Sequence, residues 1–146
     1  MTDTTPDQHP DRHPDQHLGS DLGGAFAEWL GIEYDELTGD RVVAHWQAGP
    51  RHQQPHGIVH GGVYCSVVET LASMGAATWL GERGRVVGVN NNTDFYRAVT
   101  EGAMTSTATP LHRGRSQQVW VVETVSEEGK VIARGQVRLQ NLHPEA

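Results

Sequence analysis

From Gly61 to Leu80 the chain reads GGVYCSVVETLASMGAATWL, and Glu69 is the single charge in that run. Apolar or small residues fall on nearly every side of such a segment, which is the pattern of a helix enclosed by other structure. The length would also span a bilayer. Ser66, Thr70, Ser73, Thr78 and three glycines, with no second hydrophobic segment to partner it, favour a buried core helix. The segments around it have a different period. Arg85–Phe95 reads as extended chain, Gly102–Leu111 alternates through Met104, Ser106 and Ala108, Gln117–Ser126 is centred on VWVVETV, and Val131–Leu142 closes the chain with alternating Val137 and Leu139. Glu128-Gly129-Lys130 supplies the turn between the last two.

Upstream, Ser20 or Asp21 can cap a short helix that carries Leu22, Phe26, Trp29 and Leu30 at helical spacing and ends at Gly31. Ile32–Leu37 and Arg41–Ala48 read as an antiparallel pair turning at Thr38-Gly39-Asp40. Residues 49–60, GPRHQQPHGIVH, are too rich in Gly, Pro and polar side chains for either element. The order is therefore one helix, two strands, a long buried helix, then four strands with short connections. Short connections imply an antiparallel sheet, and a helix apolar on most sides needs that sheet to curve around it. The fold class is α+β.

Residues 6–17 stand apart as PDQH-PDRH-PDQH. Proline at every fourth position blocks helix and sheet ladders, and no apolar residue is available to offset ordering entropy. His9, His13 and His17 have no fixed geometry for a metal, so residues 1–19 read as a solvated tail and 20–146 as the folded domain.

Charge and cysteine content narrow the chemistry. The 146 residues carry 18 acids and 11 bases, ten of them Arg, for a formal net charge of -7. Nucleic-acid or anionic-membrane binding requires a basic surface, so neither partner is expected. Cys65 is the one cysteine, which excludes an internal disulfide and a multi-cysteine zinc site. It reads as an inert buried thiol. MTDTTPDQHP has no apolar stretch and no basic start, so the expected location is the cytoplasm. No G-x-S-x-G, H-E-x-x-H, G-x-G-x-x-G or phosphate-binding P-loop occurs, and neither metal nor organic cofactor is expected.

Two features could carry a reaction. Glu69, alone in an uncharged helix, needs a polar partner or a water-filled site, and such surroundings can tune it as nucleophile or base. Ser73 lies one turn further along the same face. His60-Gly61-Gly62 opens the helix, where the first N–H groups have no internal acceptor and the dipole favours negative charge. Glycines there clear a path to those amides, which could stabilise an oxyanion.

GIVHGGVYCSVVETLAS (57–73), VVGVNNNTDFYRAVTEG (86–102) and PLHRGRSQQVWVVETVSEEGKVIARGQ (110–136) together resemble the PaaI-like hotdog-fold acyl-CoA thioesterases. The likeness is nearest the branches acting on 4-hydroxybenzoyl-CoA and 1,4-dihydroxy-2-naphthoyl-CoA, which also have a mid-helix Glu. The resemblance implies a hotdog fold and a thioester hydrolase needing no cofactor. Glu69 takes the place of the catalytic carboxylate, Gly61 of the residue whose N–H polarises the carbonyl, Gln54 and His60 of polar helpers, and Ser73 of a residue supporting the water. Asn92 and Thr93 fall along the acyl group and pantetheine arm, and Gly62 counts among the substrate-binding residues. His112, Arg113, Gly114, Arg115 and Ser116 match the turn that holds the CoA end. It also implies a homodimer with shared sites, often doubled to a homotetramer. Spacing argues likewise, since eight residues separate Gly61 from Glu69 by about 12 Å of helix axis. The alternatives are an acyl-CoA-binding hotdog domain without turnover and a hydratase, whose usual Asp/His signature is missing.

Overall fold

The computed structural model describes residues 20–145, so the tail expected over residues 1–19 lies outside the described range. A 3-10 turn, Ser20–Gly23, leads into α1 (Gly24–Leu30). Strands β1 (Glu33–Leu37) and β2 (Val42–Ala48) follow, then α2 (Gly61–Leu80), β3 (Arg85–Phe95), β4 (Gly102–Arg113), β5 (Gln117–Ser126) and β6 (Val131–Leu142). All six strands form one antiparallel sheet in the order β1-β2-β4-β5-β6-β3.

A single helix touches every strand of that sheet. Six flat strands would spread over roughly 24 Å at ordinary interstrand spacing, more than one helix about 10 Å across can reach. The sheet therefore curves around α2, as expected for the α+β architecture read from the sequence. Alternation on β2, β5 and β6 supplies the concave lining, with Trp46, Trp120, Val122, Val137 and Leu139 all buried against the helix. Trp120 packs so tightly on Gly75 that a Cβ there would lie 2.6 Å from the indole ring. That contact sets how closely helix and sheet approach.

Three expectations need correction. Helix α2 is not enclosed on all sides. Val63, Tyr64, Val67, Val68, Leu71, Ala72 and Ala76 are buried, but Cys65, Ser66, Glu69, Thr70, Ser73 and Ala77 form a partly or fully exposed stripe. Its apolar character on that side serves small residues rather than core packing, and Cys65 is only partly buried. A 3-10 turn moves the cap position of the first helix to Gly23, which has no side chain to offer, instead of position 20 or 21. Of its apolar stripe Leu30 is buried, while Leu22, Phe26 and Trp29 are at least half exposed. Lastly, β4 runs on through His112 and Arg113 past a register shift between Pro110 and His112.

The sheet ends on β3, an eleven-residue edge strand exposed along nearly its whole length, including Val87 and Val89. It lies beside the open face of α2.

Candidate active site

The entry to α2 is built by its cap. His60 has extended backbone, φ -64° and ψ 132°, and its Nδ1 accepts the Gly62 N–H at 2.8 Å. The His60 carbonyl takes the Val63 N–H at 2.9 Å. Among the described residues no acceptor meets the Gly61 N–H, so of the two amides singled out from the sequence one is consumed by the cap and the other is open. Gly61 is also required sterically. The Phe95 ring lies on it, and a Cβ would stand 2.5 Å from Phe95 Cε2.

The loop before the helix is tied down by backbone. The Val59 N–H donates to the Val99 carbonyl at 2.7 Å, and Gln53 Nε2 donates to the Thr100 carbonyl at 2.9 Å. Gln54 turns its Oε1 back to accept the His56 N–H, which closes its own turn. It sits in the loop leading to Gly61 with its side-chain oxygen already engaged.

Glu69 lies on the open stripe of α2, two turns beyond Gly61. Asn91 Nδ2 donates to Glu69 Oε2 at 3.1 Å and to the Cys65 carbonyl at 3.0 Å. Thr93 Oγ1 donates to Asn91 Oδ1 at 2.7 Å, which fixes the amide so that its NH2 faces the carboxylate. The other carboxylate oxygen rests against Gly88. Thr93 is thus brought to the site through Asn91. Asn92 is not: side chains alternate along a strand, and Asn90, Asn92 and Asp94 line a cleft on the opposite face with Leu111 and Val121. Within one subunit its side chain therefore points away from Glu69. Ser73 is partly exposed on the Glu69 face, but the carboxylate's side-chain donor is Asn91. Neither Asn91 nor Gly88 was singled out as a site residue from the sequence. The available signal was the run Asn90-Asn91-Asn92, unusual for a strand, which becomes informative only when the pleat says which of the three faces the helix.

A cleft of about 280 Å³ opens beside the first turn of α2, lined by Phe26, Trp29, Arg51, His60, Gly62 and Ser66. Phe26 and Trp29 are stacked, with centroids 6.4 Å apart. Arg51 lies over Trp29 at 5.8 Å. Below them His52 is buried, accepting the Gly49 N–H at Nδ1 and donating from Nε2 to the Leu30 carbonyl at 3.0 Å. Burial holds its pKa below the ordinary 6.5, so it is neutral there. A larger cleft, about 550 Å³, lies between the loop after β3 and the β5–β6 turn and includes neither Gly61 nor Glu69.

The turn at His112–Ser116 sits at the other end of α2. Arg113 donates to the Gly39 carbonyl at 2.6 Å and to Asp40 Oδ1 at 2.7 Å, and its guanidinium lies 5.5 Å from the Trp79 ring. Arg83 stacks on Trp79 at 4.4 Å. Arg113 is therefore committed to the β1–β2 turn, whereas Arg115 and Ser116 are exposed. Among the described residues no group of His, Cys, Asp and Glu is arranged to hold a metal ion, and no helix is long and apolar enough to cross a membrane.

Residues 56–133 match the family described as the thioesterase superfamily. The chain is 36% identical over 107 residues to the proofreading thioesterase EntH of Cronobacter turicensis, covering 73% of this chain and 78% of that one. The crystal structure of AziG from S. sahachiroi aligns with a TM-score of 0.81 at 54% identity, over 83% of this chain and 98% of AziG. Thioesterase HI1161 from Haemophilus influenzae aligns with a TM-score of 0.77 at 33% identity, over 82% of this chain and 83% of HI1161.

Proposed function

The chain belongs to the thioesterase superfamily, and from that membership we propose that it hydrolyses aromatic acyl-CoA thioesters with Glu69 of one subunit and the Gly61 N–H of another. It is a thioester hydrolase with a hotdog fold, so turnover replaces the reading of a domain that only binds. The observation that carries the finer proposal is the setting of Glu69: a carboxylate held by an amide on an otherwise open helix face.

The Gly61 N–H donates to the thioester oxygen, at the positive end of the α2 dipole, as negative charge gathers there. Glu69 either attacks the carbonyl carbon, forming an anhydride that water then cleaves, or takes the proton from a water that attacks. In both routes a C–O bond forms, the C–S bond breaks and CoA leaves as its thiolate, which takes up a proton. The two groups lie about 12 Å apart on one helix axis, too far to serve one carbonyl.

A second copy resolves that distance. Pairing β3 against β3 would bury the exposed edge and lay two α2 helices antiparallel, with Glu69 of each near Gly61 of the other. Two such dimers joined would make the tetramer. The stacked Phe26 and Trp29 beside Gly61 suit an aromatic acyl group. His60 keeps the cap in register, Gln54 and Ser73 take helper positions near the carbonyl and the water, and the exposed end of the His112–Ser116 turn receives the CoA end.

Thiol release across a panel of aromatic and aliphatic acyl-CoA substrates, with wild type beside Glu69→Gln, tests the reading. Aromatic substrates should be turned over fastest, and Glu69→Gln should lose about three orders of magnitude in kcat while still binding substrate. A variant that keeps more than about a tenth of wild-type kcat removes Glu69 from the mechanism.

A further inference from the structure

At the far end of α2 a chain of amide groups, every hydrogen of which is used, leads from a buried indole to the exposed turn. Trp120 Nε1 can only donate, and it donates to Gln118 Oε1 at 2.9 Å. That fixes the orientation of Gln118. Its two amide hydrogens go to the Ala76 carbonyl of α2 at 3.2 Å and to Asn141 Oδ1 at 2.9 Å. Asn141 is fixed in turn, and its two hydrogens go to the Gly114 carbonyl at 3.0 Å and the Arg115 carbonyl at 3.1 Å. Its backbone N–H donates to the Ser116 carbonyl at 2.8 Å. Trp120, Gln118 and Asn141 are at most 4% exposed, so leaving any of these groups unpaired would be costly.

The consequence lies on the outer side of the turn. In a trans peptide the C=O and N–H point in opposite directions. With the Gly114 and Arg115 carbonyls held inward, the Arg115 and Ser116 N–H groups face out side by side, and among the described residues neither meets an acceptor. Consecutive outward amides form a concavity suited to an anion. The surroundings agree. In a chain of net charge -7, Arg83, Arg85, Arg113 and Arg115 gather at this end, with His143 reaching the Arg83 and Arg115 carbonyls. Asp40 engages Arg113, and Glu82 lies beside Arg85, which leaves Arg115 as the exposed cation on the turn itself.

We infer that Asn141 is a positioning residue that holds Gly114–Ser116 as a phosphate-binding turn, with the Arg115 and Ser116 amides as the donors. This rests on the acyl-CoA reading above, because a nucleotide phosphate of CoA is the anion the turn would take. Glu69 and Trp79 are ten residues apart on α2, about 15 Å, a span that an extended pantetheine arm can bridge from the carboxylate to this end of the same subunit.

The test compares a CoA thioester with the N-acetylcysteamine thioester of the same acyl group, and adds adenosine 3′,5′-bisphosphate as a competitive inhibitor. Asn141→Asp keeps the shape of the side chain but turns a second oxygen toward the two carbonyls. KM for the CoA thioester should rise about 10- to 100-fold, with kcat and the short thioester nearly unchanged, and the bisphosphate should lose its inhibition. Should that variant fail to fold, Asn141→Ser should give a smaller rise in the same direction. An equal loss for both thioesters, or unchanged inhibition by the bisphosphate, overturns the role of Asn141. If wild type itself neither prefers the CoA thioester nor responds to the bisphosphate, the acyl-CoA reading fails, and this inference with it.

Discussion

The Glu69 carboxylate occupies the space that a side chain at Gly88 would take: an ideal Cβ on Gly88 would stand 1.9 Å from Glu69 Oε1. Gly88 does not have positive φ, so its backbone would accept alanine. What alanine would displace is the end of a flexible side chain, not a packed core. Gly88→Ala should therefore move the carboxylate by an ångström or more and lower kcat about 100-fold, with little change in Tm. Kinetics and a thermal melt on the same preparation check this; wild-type kcat in a folded Gly88→Ala protein would mean that the seat of Glu69 is unimportant.

Arg113 and Arg115 should separate. Arg113 is tied to Asp40, Gly39 and Trp79, with 27% of its side chain exposed, so Arg113→Ala should lower Tm first. Arg115 is exposed on the turn, and no ion pair holds it among the described residues. Arg115→Ala should leave Tm alone and raise KM for a CoA thioester about tenfold, sparing the N-acetylcysteamine thioester. Steady-state kinetics on both substrates decide it, and equal behaviour of the two variants would contradict the division of roles.

Stability should depend on His52. Burial lowers its pKa below 6.5, so below that pH the unfolded chain binds more protons than the folded one. The stabilisation is complete above pH 6.5 and is lost as pH falls through the folded value. His45 has the opposite sign: the hydrogen bond to Asp35 raises its pKa, and its contribution is present below 6.5 and lost as pH rises through the raised value. His45 is common to wild type and His52→Gln, so the Tm difference between the two should shrink as pH falls from 7.5 to 5.5, because only wild type loses the His52 contribution. A difference that stays constant across that range would remove His52 from the pH dependence.

Most of the fold was legible in the sequence because its elements are long and end at clear signals. The run GGVYCSVVETLASMGAATWL begins and ends where α2 does, and β3, β5 and β6 have the bounds their patterns indicate. Misreadings arose where one chain's pattern could not say what lies opposite. Small and apolar residues on the outer face of α2 looked like core, yet in a single chain that face is partly open. Phe26 and Trp29 had helical spacing but face solvent over a cleft. The candidate elements, Glu69 and His60-Gly61-Gly62, stand out as a lone charge and a glycine-rich helix start. Asn91 and Gly88 were not, because their roles depend on which side of a strand faces the helix. Asn141, thirty residues beyond Leu111, gave no local signal.

If Gly61 and Glu69 of different subunits make one site, mixing two inactive variants should rebuild it. Gly61→Pro removes the N–H at the first helical position, where proline is tolerated, and His60 already has the extended backbone that a following proline demands. The ring must push Phe95 aside, which its 51% exposure permits. Gly61→Pro and Glu69→Gln should each be nearly inactive alone. Mixed dimers contain one site with both native groups, so an equal mixture after subunit exchange, verified by tagged pull-down, should regain about a quarter of wild-type activity. Demonstrated exchange with no return of activity, or an active species that sediments as a monomer, would contradict the shared site.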